Sequence, residues 1–294
     1  MSYPVLKRLE TKDTRCTELI QYHGIPAIQK RILSHEPRVL KRFKREQEIL
    51  KKLNKEYIPK LYQDAPKHII MEYIPTPINA QQPFATHVTQ SIIQKIVDQL
   101  IDLKLSPIQK IAPSSNQPLL SIYRSLLRSI QRREFHPLYK ETVRRLTSCY
   151  INANRLFKSP NVATKGDFTE VNILITHQGE VKFIDFDAYH TQGSWLEDAS
   201  YLLLHEDRAI EELSWQHLFY KTYLLRLKEE NIPLSRTYVH FWLLSTALKQ
   251  YAIRRMQYQQ QRISHKTLQI KEGHLRYFLD PQKTAHFLDQ MEVD

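Results

Sequence analysis

KGDFTEVNILITHQGEVKFIDFD, residues 165–187, places five carboxylates in twenty-three residues. A run of acids ordinarily marks a solvated face, but apolar β-formers separate these. NILIT and EVKFIDF read as two short strands, and Gly179 stands between them in the turn. The stretch predicts a hairpin that is at least partly buried. Asp167 and Asn172 lie on the loop entering it, Asp185 at the end of its second strand, and Asp187 two residues beyond.

The chain around this hairpin has 294 residues, 41% hydrophobic and 25% charged, a globular composition long enough to divide into two parts. No apolar run approaches the roughly 18 residues of a spanning helix. The start, MSYPVLKRLETKD, has no apolar segment ahead of a small-residue cleavage site. Cys16 and Cys149 are the only cysteines, too few for a disulfide framework or a four-cysteine metal site. The expectation is a soluble, cytoplasmic protein. Its formal charge is +12, with 15 Lys/Arg against 7 Asp/Glu over residues 1–60 and 7 against 2 over 121–146. Such patches attract nucleotide phosphates, anionic glycans or an anionic membrane surface, so peripheral membrane association is within the expectation. The basic residues are not interleaved with a nucleic-acid motif, and no obligate nucleic-acid partner is expected.

The first 75 residues read as strand-rich with one helix. YPVLKRLE and TELIQYHGIPAIQKRIL give three strands, the last two joined at His23-Gly24. Residues 37–53 place Leu40, Phe43, Ile49, Leu50 and Leu53 at helical spacing beneath a basic face. A strand over 68–75 ends at Pro75-Thr76-Pro77, a boundary. Beyond it helices are predicted over 88–104, 117–133, 137–157, 196–204, 207–228 and 235–262. The plan is α+β and two-lobed: residues 1–75 as a small lobe, residues 76–294 as a larger, mostly helical lobe with the embedded hairpin.

Asp167 and Asn172 are five apart, and Asp185 follows eighteen after Asp167. This is the D-x-x-x-x-N plus D-F-x arrangement of kinase-type phosphoryl transfer. That chemistry needs Mg²⁺ to neutralise the nucleotide, and Mg²⁺ prefers carboxylate and amide oxygens. It also needs an acceptor for the substrate hydroxyl proton. Asp185 and Asn172 suit the metal; Asp167 suits the base. Two further pieces are then expected, a lysine on a small-lobe strand and a glutamate on the next helix. Lys30 and Glu46 fill those places, with Glu46 preferred to Glu48 because it shares a face with Phe43, Leu50 and Leu53.

The set resembles the aminoglycoside phosphotransferase and choline kinase branch of the protein-kinase-like fold. The loop KGDFTEVN stands for that branch's H-G-D-x-x-x-x-N, IDFD for its I-D-F-D/E strand end, and WLEDASYLLL, with Asp198, for its downstream D-L-A-like helix start. The resemblance implies a two-lobed fold, ATP or another nucleoside triphosphate, Mg²⁺, and transfer of the γ-phosphate to a small-molecule hydroxyl. It makes Asp167 the catalytic base, Asn172 and Asp185 the metal ligands, Lys30 the phosphate contact, and the backbone of Glu72, Tyr73 and Ile74 the adenine-holding hinge. Lys165 departs from the pattern's histidine. The loop over 10–17 has no glycine, and Thr14, Arg15 and Thr17 are the expected phosphate contacts there.

Only twelve residues separate Asp185 from Asp198, too short for a peptide-binding activation segment, so a compact acceptor is expected. The basic chain points to a neutral or anionic one, such as a sugar, glycan or phosphorylated metabolite. The alternatives are an atypical RIO-like protein kinase and a degenerate nucleotide-binding module. Asp187 reads either as a further metal or substrate contact or as a backbone cap, Asp198 as a helix cap or a brace for the catalytic loop, and Trp195 as packing under the loop in preference to stacking on a ring of the acceptor.

Overall fold

The computed structural model describes residues 3–75, 84–86, 88–106, 137–154 and 162–293. The helix expected over 117–133, the Thr76-Pro77 end of the boundary segment, and residues 155–157 lie outside them. The chain divides into two compact units, Met1–Ile92 with Lys165–His190, and Ile93–Thr164 with Thr191–Asp294. The hairpin segment thus belongs to the same unit as the N-terminal strands.

The first unit is built on a five-stranded antiparallel sheet of β1 (Val5–Lys12), β2 (Arg15–Tyr22), β3 (Ile25–Ile32), β4 (Leu61–Ala65) and β5 (His68–Glu72), in the order β1-β2-β3-β5-β4. His23 and Gly24 join β2 to β3 with φ of 47° and 85°, the double left-handed turn that matches strand twist. β4 was not expected: LYQDA sets its apolar residues in no strict alternation, and its pairing with β5 makes it a strand.

Helix α1 (Pro37–Lys52) starts with proline, whose fixed φ suits the first turn, and ends on Lys51 and Lys52, which complement its negative end. It buries Phe43, Glu46, Gln47, Ile49 and Leu50, and Gln47 Nε2 donates to the Ala65 carbonyl on β4 at 2.6 Å. Four short strands come later: β6 (Val162–Thr164), β7 (Ile173–Ile175), β8 (Val181–Phe183) and β9 (His190–Gly193). β7 and β8 form the expected hairpin, with Ile173 opposite Phe183. Phe183 anchors it, donating its N–H to the Tyr57 carbonyl at 2.8 Å and meeting Phe168 edge-on. β6 pairs with β9, an arrangement three- and four-residue segments do not announce in sequence.

Helices α2 (Gln90–Leu105), α3 (Pro137–Asn154), α4 (Glu197–His205), α5 (Ser214–Glu229), α6 (Arg236–Gln259), α7 (His265–Leu279) and α8 (Pro281–Gln290) supply the rest, chiefly the second unit. The helix predicted from 207 begins at Ser214, because Ile210–Glu212 forms a separate tight turn. α7 and α8 were missed, although Ser264 and Asp280 cap them by accepting N–H bonds from Thr267 and from Gln282 and Lys283. Phe219 and Tyr223 of α5, Trp242 and Leu248 of α6, Phe278 of α7 and Phe287 of α8 are all buried in this unit, and the rings of Phe278 and Phe287 meet edge-on. Among the described residues no helix is long and apolar enough to cross a membrane.

Candidate active site

Lys30 sits mid-β3, opposite Thr17 of β2 and Ile69 of β5, and its side chain is buried. Its ammonium donates to Glu46 Oε1 and Oε2 at 2.9 and 2.6 Å and to Asp185 Oδ1 at 2.9 Å. A strand, a helix and the hairpin segment therefore meet on one cation. Glu46 is the acid that reaches it; Glu48 faces solvent. Burial alone would lower the ammonium, but the two carboxylates outweigh it and hold Lys30 above the ordinary lysine value. Burial would raise Asp185, yet Lys30, Arg15 and Lys165 hold it below the usual carboxylate value. Two acids share one ammonium, so burial and the remaining negative charge push Glu46 up.

The loop ahead of the hairpin is held by its own backbone. Gly166 has φ of 84°, and a Cβ there would lie 2.4 Å from the Ala188 carbonyl oxygen. Asn172 Nδ2 donates to the Asp167 carbonyl at 2.9 Å and sits 3.5 Å from Asp167 Oδ2, while the Asn172 carbonyl accepts from Ile184 N–H at 3.0 Å. Asp167, Asn172 and the residue before Asp185 are thereby joined. Lys165 is fully buried, and its ammonium donates to the carbonyls of Asp167 at 3.1 Å and Asp185 at 2.9 Å. The departure from histidine thus leaves a two-armed donor linking the two acidic segments.

Thr14 lies in the β1–β2 turn, where its carbonyl accepts from Leu33 N–H at 2.9 Å. Arg15 opens β2, with Nη1 3.8 Å from Oδ2 of both Asp185 and Asp187 and Nε 3.3 Å from Glu10. Asp187 meets a cation from the helix: Arg42 Nη2 of α1 donates to its Oδ1 at 2.9 Å. Sequence reasoning missed Arg42, whose position one turn before Glu46 was the available signal. At the far end of the sheet Glu72 closes β5, its N–H donating to the Lys60 carbonyl at 2.8 Å and its carboxylate accepting from Lys60 N–H at 3.1 Å; Tyr73 is half-buried and Ile74 buried.

No protein-family model and no curated sequence matches the chain. Solved structures do. An ADP-bound aminoglycoside phosphotransferase matches with a TM-score of 0.60 at 15% identity, covering 100% of this chain and 96% of that one. A choline kinase from Cryptosporidium parvum gives 0.59 at 14%, over 97% and 90%. A thermostable aminoglycoside phosphotransferase bound to AMP-PNP and hygromycin B gives 0.68 at 9%, over 97% and 95%. The chain has the protein-kinase-like fold.

In a kinase-like fold a metal is shared between protein oxygens and nucleotide phosphates. The residues present fit one. Asp185 is held ionised, and the Asn172 amide is fixed through its nitrogen, so the pair offers a carboxylate and an amide oxygen, the hard donors Mg²⁺ takes. Asp198 stands in the first turn of α4, two residues after the N-cap position Leu196. It pairs with Lys104 of α2 at 2.9 Å, with both side chains fully buried. Lys104 also donates to the carbonyls of Ala163 on β6 and Ser194. A single lysine near the end of the apolar run IVDQLIDLKL was the sign of this pair. Trp195 is buried, as the packing reading required.

Proposed function

We propose that the protein is a nucleotide- and Mg²⁺-dependent phosphotransferase that moves the γ-phosphate of ATP to a hydroxyl of a small molecule, in the sugar or glycan class and neutral or anionic. One observation carries the reading: the Lys30 ammonium bonds both Glu46 and Asp185, while Asp167 and Asn172 are fixed in the adjoining loop. Lys30 holds the α/β-phosphates, with Arg15, Thr14 and Thr17 adding cationic and hydroxyl contacts in place of a glycine-rich loop. Adenine lies against the backbone of Glu72, Tyr73 and Ile74. Asp167 accepts the acceptor's proton as its oxygen bonds to the γ-phosphorus and the bond to the β–γ bridging oxygen breaks. Asp185 and Asn172 hold Mg²⁺, which when bound neutralises charge on the phosphates.

The test is thermal stabilisation by ATP with Mg²⁺ on the wild type and on Asp185→Ala. A ligand at a hundred times its dissociation constant raises stability by about 2.7 kcal/mol. A shift that Asp185→Ala abolishes supports the reading and opens a screen of hydroxyl acceptors with labelled ATP. No shift with any nucleotide sinks it. Efficient phosphorylation of a polycationic aminoglycoside would overturn the acceptor class alone.

A further inference from the structure

Helix α1 reaches the 185–187 segment twice. Glu46 does so through Lys30, which bonds Asp185 Oδ1. Arg42 does so directly, its Nη2 donating to Asp187 Oδ1 at 2.9 Å. The two residues are four apart and share a face of the helix. Their polarities are opposed: an acid on the helix holds a base, and a base on the helix holds an acid. Arg42 is 54% exposed and Asp187 only 14%, so the guanidinium covers a sheltered carboxylate. Arg15 stands 3.8 Å from Oδ2 of both Asp185 and Asp187, which brings β2 to the same point.

Asp185 needs such ties. It lies beyond Phe183, where β8 ends, so no strand pairing holds it. Its φ of 59° is a left-handed state that an L side chain keeps only when its surroundings impose it. Lys30 sets one carboxylate oxygen; the backbone two residues on is set by Asp187.

We propose that Arg42 is a positioning residue, acting through Asp187 to hold the Asp185 carboxylate where it receives the Mg²⁺ of the nucleotide. This rests on the phosphotransferase reading. Arg42 is itself more than half exposed, and Arg15 still faces Asp187 when it is removed, so loss of Arg42 leaves the fold intact. Groups that orient a metal ligand cost about 10–100-fold in metal affinity when removed.

Calorimetric titration with ADP, in Mg²⁺ and in EDTA, separates the possibilities. Arg42→Ala keeps the Mg²⁺-free affinity of the wild type and loses about tenfold in the presence of Mg²⁺. Arg42→Lys recovers most of that loss, because a single nitrogen makes the bond. Arg42→Ala combined with Asp187→Asn is no weaker than Asp187→Asn alone, since the first acts through the second. Wild-type affinity in Arg42→Ala with Mg²⁺ overturns the inference, as does an equal loss with and without it. A wild type that binds ADP in neither condition overturns the phosphotransferase reading first, and this inference with it.

Discussion

Asp185 holds its backbone at φ of 59° with a lysine on one carboxylate oxygen and an arginine 3.8 Å from the other. Its folded pKa is below the ordinary 3.8, so its contribution to stability is present above 3.8 and is lost only as pH falls through the lower folded value. Lys30 is raised above 10.5, so its contribution is present below 10.5 and is lost as pH rises through the higher folded value. A profile of kcat/KM against pH should therefore show no limb from this pair between those limits. Glu46, pushed up where Asp185 is held down, takes a proton before Asp185 does on acidification. Asp167→Asn should lower kcat by about 10²–10⁴-fold while nucleotide affinity stays within about twofold, the signature of a lost proton acceptor. An equal loss of affinity would make Asp167 a binding group instead. Gly166→Ala combines a left-handed φ with a 2.4 Å approach to the Ala188 carbonyl. It should cost about 1–3 kcal/mol in chemical denaturation, and an unchanged midpoint would mean the loop relaxes freely.

At the scale of elements, α1 and the β7–β8 hairpin carry the site, and both were legible in sequence. The alternation of NILIT and EVKFIDF around Gly179 and the spacing of Phe43, Ile49 and Leu50 are local patterns, and local patterns survive without knowledge of the fold. The polar partners of these elements were less legible. Asp198 sits at the start of α4 and looks like a cap, yet its carboxylate meets Lys104, ninety-four residues earlier. Only the packing of α2 against that segment makes the pair. Because both side chains are fully buried, Lys104→Met should destabilise the protein by about 3–5 kcal/mol in urea titration, by taking the cation from a buried carboxylate. The double change Lys104→Met, Asp198→Leu should recover much of the loss. A double variant no better than the single one would show that the pair is needed for more than mutual neutralisation.

Across the whole chain, a net charge of +12 coexists with buried cations that find backbone oxygens. Lys271 of α7 is fully buried and donates to the carbonyls of Leu204, His205 and Glu206. One turn on, His274 lies against the Arg208 carbonyl, and burial with the nearby Lys271 lowers its pKa from 6.5 to about 4. A depressed histidine stays neutral in the folded state while the unfolded state takes up a proton. Stability should therefore fall as pH drops from 6.5 to about 4, by on the order of 3 kcal/mol. Melting curves across that window check this, and His274→Gln should flatten the slope. A slope unchanged in His274→Gln would assign the acid sensitivity to other groups.

The sequence by itself determined the kinds of element and the order of the charged residues. Residues 165–187 had to turn back on themselves, residues 37–53 had to bury one face, and Lys30, Glu46, Asp167, Asn172 and Asp185 came in an order that implied one chemistry. What only the tertiary structure decided is which charge meets which. Asp187 takes Arg42 and Arg15, Asp198 takes Lys104, and Lys165 bridges two carbonyls eighteen residues apart. The reason is physical. Strand and helix periodicities are fixed by a residue's near neighbours, whereas a buried charge is satisfied by whatever partner the fold brings within about 3 Å.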